Sequence, residues 1–164
     1  MLKRLIKHLS SPGWWSRRAF RADDLAAITE AVRRAERQTR CEIRIAIEAS
    51  LPLGALLGKR TSRERAGELF QTLGVANTRE ANGILIYVQL VDRQVEILAD
   101  RGIARGIAAD TWTAICHTME MAFAACQYRA GMLEAIRQIS DLLTEHFPAN
   151  GDNPNELDDA PKML

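Results

Sequence analysis

Apolar side chains recur along this chain with two different periods. From Leu25, apolar residues return at Ile28, Val32 and Ala35, the 3.6-residue spacing of one helix face, which predicts a helix over 24–38. Asp23 is a residue type that caps such a helix. Over Cys41–Ala49 the period shortens to two. Cys41, Ile43, Ile45 and Ile47 fall on one side and Glu42, Arg44, Ala46 and Glu48 on the other, a strand with one well-buried face. Residues 51–60 carry Pro52, Gly54 and Gly58 and read as a loop. Thr61 or Ser62 caps a second helix with Ala66, Leu69, Phe70 and Leu73 as its apolar stripe, ended by Gly74.

The stretch 82–100, NGILIYVQLVDRQVEILAD, carries the most information. Residues 83–90 form a continuous apolar, β-branched run, the signature of a strand buried on both faces. Asp92-Arg93 breaks it as a tight turn, and residues 94–99 return as a third, alternating strand. Residues 101–109 are a loop or short helical turn. Asp110 caps a helix with Trp112, Ile115, Met119, Met121 and Phe123 inward. After a break at 127–131, a last helix places Met132, Ile136, Ile139, Leu142 and Leu143 inward and stops at Pro148. Strands one and two, joined through a helix, should be parallel; strands two and three form a hairpin. The expected architecture is α/β: a three-layer α/β/α sandwich on a small mixed sheet, parallel plus hairpin.

Composition narrows the reading. The 164 residues suit one domain, divided as a basic N-terminal arm (1–21), a central domain (22–148) and an acidic polar tail (149–164) that is extended or disordered. A net charge of +1 argues against a nucleic-acid partner. Three cysteines without CxxC spacing make no disulfide framework and suit a reducing cytoplasm. No stretch approaches the roughly 20 apolar residues of a membrane span. Residues 2–9 are basic and amphipathic, which allows weak membrane-surface contact or packing on the chain's own domain. Trp14 and Trp15 read as an anchor for the arm.

Several passages resemble the TPM domain, a family named for a thylakoid lumen protein, a photosystem II repair protein and a nematode receptor modulator. They are AERQTRCEIRIAIE at 35–48, ANGILIYVQLVDRQVEILADRGI at 81–103, the Asp-x-Trp helix start at 110–112, QYRAGMLEAIRQI at 127–139 and the tail NELDDAP at 155–161, which is similar to the ending of a short bacterial subgroup. The resemblance implies an α/β/α sandwich. It also implies one of several roles: divalent-ion binding, acid phosphatase activity, or assembly and repair of membrane complexes. The chain departs from the family pattern at three places: Cys41 and Cys126 stand where glycine is frequent, and Ala104 stands where a glutamate is frequent.

Two constellations carry candidate chemistry. Glu42, Asn82, Asp100 and Asp110 fall near one edge of the expected sheet and supply the oxygen ligands of a Ca2+ or Mg2+ ion. Asp110 as a helix cap and Asn82 as a turn residue are the plain alternative. At the other rim, Asp92 and Arg93 lie near Glu48, an arrangement that could bind or cleave a phosphate ester. The plain alternative there is a hairpin turn with Arg93 paired to Glu48 or Glu96. Cys116-His117 diverge on a helix and make a poor shared site, and Cys41 and Cys126 read as small core residues. The function expected is an accessory or binding module with an unidentified protein partner. The alternatives are a metal-assisted phosphatase, with Arg93 or Arg101 holding the phosphate, and a structural interaction protein working through Trp14–Trp15 and the tail.

Overall fold

In the computed structural model, residues 18–58, 60–151 and 154–164 are described. The elements are α1 (Ala22–Gln38), β1 (Glu42–Glu48), α2 (Leu53–Leu57), α3 (Ser62–Thr72), a 3-10 turn (Val75–Asn77), β2 (Gly83–Gln89), β3 (Gln94–Ala99), α4 (Arg101–Ala104), α5 (Ala109–Ala124), α6 (Tyr128–His146) and β4 (Lys162–Met163). The strands lie in the order β3-β2-β1-β4. β1 runs parallel to β2 in the register Glu42↔Gly83 to Glu48↔Gln89, and β2 pairs antiparallel with β3. These are the pairings that the two periods predict. The Leu2–Leu9 helix and the Trp14–Trp15 anchor lie outside the described residues.

Helices cover both faces, so the sandwich has three layers, but the layers differ. On one face Ile43, Ile45, Ile47, Ile84, Ile86 and Val88 pack against α1, α5 and α6 in the main apolar core. On the other, Ala46, Leu85 and Tyr87 meet Ala66, Leu69 and Phe70 of α3 in a smaller one. Every residue of β1 is buried, including Glu42, Arg44 and Glu48. The alternation predicted a single buried face. The second face is covered by α3 and by the C-terminal tail, whose last residues add β4 beside Ala46 and Ile47. A two-residue strand carries too little period to be read from sequence.

Local chemistry shifts several boundaries. Asp23 does not cap α1; Asp24 Oδ2 accepts the Arg21 N–H at 2.9 Å instead. Asp110 sits in the first turn of α5, and Ala108 holds the cap position. Met121 points to solvent at 62% exposure rather than into the core. The hairpin turn spans Leu90–Arg93 and not two residues, with Arg93 N–H donating to Leu90 O and Arg93 at φ 55. Among the described residues no helix is long and apolar enough to cross a membrane.

Candidate functional site

At the sheet edge where β1 and β2 begin and β3 ends, backbone bonds pull three segments together. Glu42 N–H donates to Asn82 O and Asp100 N–H to Gly83 O. Gly102 N–H donates to Ala81 O at 2.9 Å. A methyl group on Gly102 would lie 2.5 Å from that same oxygen and 2.7 Å from Glu80 O, so only glycine permits the approach. The 78–82 and 100–105 loops are thereby locked against each other.

The four oxygen donors expected to share a cation are dispersed along this rim. Glu42 is fully buried, and its Oε2 accepts the Glu156 and Leu157 N–H groups at 3.0 and 3.1 Å. Asp100 Oδ1 accepts the Arg101 N–H at 2.6 Å and caps α4. Asp110 is exposed on α5. Asn82 donates through Nδ2 to Arg40 O, and its buried Oδ1 has no hydrogen-bond partner among the described residues. A hard divalent cation wants about six to eight converging oxygens. Among the described residues no group of three or more His, Cys, Asp or Glu is arranged to hold a metal.

Cations of the protein itself gather at this edge instead. Arg79, Arg101 and Arg105 line a concavity of about 330 Å³ with Glu80, Ala81 and Gly102. Glu80 is already paired with Arg40 at 3.5 Å. The guanidiniums of Arg79, Arg101 and Arg105 make no ion pair among the described residues. Ala104, where the resemblance expects a glutamate, brings no carboxylate to this ledge.

The opposite rim is structural in its bonding. Asp92 N–H donates to Gln89 Oε1 at 2.6 Å, and Arg93 is exposed on the turn. Glu48 does not pair with Arg93. It receives Arg65 from α3 at 2.8 Å and the Tyr87 hydroxyl at 2.6 Å. Glu96 in turn takes Arg63 at 3.3 Å. Burial, then the Glu48 carboxylate, pushes the Tyr87 phenol well up, and the Glu48 hydrogen bond raises the Arg65 guanidinium. The arrangement holds α3 to the sheet.

From residue 155 onward the tail is tied to the domain by side-chain and backbone bonds. Arg44 donates to the carbonyls of Asp158 and Ala160, the latter at 2.7 Å. Arg33 reaches Asp159 Oδ2 at 2.8 Å, and Asn155 reaches its Oδ1 at 2.7 Å. Leu164 N–H donates to Ile47 O. Glu36 Oε1 accepts the Ile43 N–H at 2.8 Å, and its carboxyl shares a hydrogen bond with Asp159. Burial pushes Glu36 up to about 9, so it is protonated at neutral pH. Burial raises Asp159 too, but hydrogen bonds from Arg33, Asn155 and Glu36 outweigh it and leave the group below its ordinary value. The polar groups of Asn155–Asp159 are thus engaged within the chain.

A family model described as the TPM domain matches residues 16–142. The chain belongs to the TPM domain family. Among solved structures, the BA42 protein of the psychrophilic bacterium Bizionia argentinensis is similar at a TM-score of 0.77 and 28% identity, over 88% of this chain and 95% of that one. The N-terminal domain of a protein from P. gingivalis shares the fold at a TM-score of 0.63 and 19% identity, over 87% of this chain and 96% of that one. No curated protein matches the sequence.

One departure from the TPM pattern now has a physical meaning. Cys126 is exposed and stands at φ 60, a left-handed backbone that glycine adopts freely and cysteine does not. It is therefore no core residue. Cys41 is buried, as expected, and burial pushes its thiol up to about 12; burial likewise lifts Cys116 to about 11. Neither is a ready thiolate. Asn82 and Asp100 lie at the same sheet edge, linked through the Asp100 N–H to Gly83 O bond. Sequence reasoning missed Arg79 and Arg105, and it missed Glu36, Arg33 and Asp159. The run Arg101–Arg105, two arginines on one helical turn, was the available signal for the ledge.

Proposed function

We propose that this TPM domain is an accessory binding module that takes an anionic group of its ligand at the Arg79–Arg101–Arg105 ledge. One observation carries the reading: three guanidiniums that make no ion pair among the described residues border a concavity whose loops are locked by the Gly102–Ala81 contact. Guanidinium forks bind carboxylates and phosphates bidentately and keep their charge at any physiological pH. We place the protein in the cytosol on its three free thiols. The test is a titration with inorganic phosphate followed by two-dimensional NMR. Shifts confined to residues 79–81 and 101–105, abolished in Arg101→Glu/Arg105→Glu, support the reading. Shifts spread over the surface, or unchanged in that variant, remove it.

A second reading is phosphomonoester hydrolysis at the same ledge, favoured by Asp100 lying next to Arg101 at its border. It predicts turnover of p-nitrophenyl phosphate that collapses in Asp100→Asn. A wild type inactive from acid to neutral pH, with and without Mg2+ or Ca2+, sinks it.

A further inference from the structure

β3 is an edge strand, and its outward backbone groups are occupied by side chains. Because β3 pairs with β2 through its even-numbered residues (Asp100 N–H donates inward to Gly83 O), the odd-numbered residues turn their polar groups away from the sheet. Glu120 Oε1 accepts the Val95 N–H at 3.0 Å. The Ile97 N–H faces the Cys116 sulfur, and Arg63 donates to Ile97 O at 3.0 Å. Acceptor, acceptor and donor are what a neighbouring strand would present at these positions.

Beside this edge runs a groove of about 660 Å³ between β3 and α5. Its apolar lining includes Val95, Ile97, Ala99, Ile107 and Trp112. One end leads to the basic ledge: Ala104 lines the groove and the next residue, Arg105, lines the ledge. The groove therefore offers a backbone edge, a wall that is apolar in part and also carries Glu96, His117 and Glu120, and, at one end, arginines that make no ion pair among the described residues.

We propose that this groove binds an extended peptide segment of a partner by strand addition to β3, with an acidic residue of the segment seated on the Arg101–Arg105 ledge. The proposal rests on the anion reading above and names the partner's chemistry. The incoming backbone replaces Glu120, Cys116 and Arg63 on the Val95 and Ile97 groups. Arg63 keeps Glu96 as its counter-ion when displaced. Main-chain bonds supply the affinity, and alternate side chains along the segment supply the selectivity.

The probe is a display library of random ten-residue peptides selected on the full chain. Enriched peptides are then measured by calorimetry against wild type and variants. Val95→Pro removes an N–H that the β2–β3 ladder does not use, so the sheet is expected to persist. Thr113→Trp fills the groove from an exposed position on α5 and keeps the test valid should the proline variant unfold. The expected result is enrichment of alternating apolar sequences with Asp or Glu at one end. Binding should weaken at least about tenfold, or 1.4 kcal/mol, in Val95→Pro, Thr113→Trp and Arg105→Glu, with slowed exchange of the Val95 and Ile97 amides. Absence of enrichment, or binding indifferent to the groove variants or to Arg105→Glu, overturns the proposal. The phosphate titration judges the ledge separately: shifts there with no peptide bound sink strand addition alone.

Discussion

The two faces of this sheet are built by different physics. Toward α1, α5 and α6, β1 offers Ile43, Ile45 and Ile47 to a core of apolar side chains, with the Glu36 carboxyl of α1 on the Ile43 N–H at its margin. Toward α3 and the tail, the same strand offers Glu42, Arg44 and Glu48, all buried and all engaged by polar partners. The apolar face holds mainly by area and packing, with Glu36 as its titrating contact. The charged face holds by matched hydrogen bonds, so losing one partner there leaves a buried charge without compensation. The difference teaches where covering elements are replaceable: α5 and α6 meet the sheet through apolar shape, whereas α3 and the tail must bring particular donors and acceptors.

The largest expected effect is on the apolar face. Ile45→Ala should destabilise by about 2–5 kcal/mol through lost transfer energy and a cavity, equally at acid and neutral pH, measured by urea unfolding. Arg65→Ala on the other face should cost about 3 kcal/mol at neutral pH. An Arg65→Ala loss below about 1 kcal/mol, the scale of an exposed ion pair, would break the comparison.

Glu36 gives a signed effect that is spread across the pH scale. Its folded value near 9 lies above its ordinary 4.5, so the folded state holds a proton that the unfolded chain releases between those values. Stability is fully present below about pH 4.5 and declines as the pH rises toward about 9. Thermal melts across that window should slope downward in wild type and flatten in Glu36→Gln. The smallest effect is a gain: Cys126→Gly relieves the left-handed backbone at φ 60 and should add about 0.5–1 kcal/mol, read as a higher melting temperature.

What could be read from sequence divides along the same line. The β1–β2–β3 core was legible because apolar periodicity is local: 83–90 announces a strand without reference to any other residue. The charged face was not. Glu48 gave no hint that its partner is Arg65 of α3 rather than Arg93 of the nearby turn. The tail's acids looked like a solvated end, and only long-range contacts, such as Arg33 with Asp159 across 126 residues, turn them into a clasp. The candidate rim was half legible. Strand ends located Asn82 and Asp100, but the positions of Arg79, Arg101 and Arg105 depend on how two loops meet at Gly102. Once those loops are packed, three arginines that make no ion pair among the described residues share one concavity there.

The central claim is that this rim binds an anion. The most direct test is a two-dimensional NMR titration of the full chain with inorganic phosphate in parallel with Mg2+ and Ca2+. The account predicts saturable shifts from phosphate at residues 79–81 and 101–105, lost in Arg101→Glu/Arg105→Glu. Saturable shifts from a divalent cation at Asn82, Asp100 and Asp110, with none from phosphate, would contradict it.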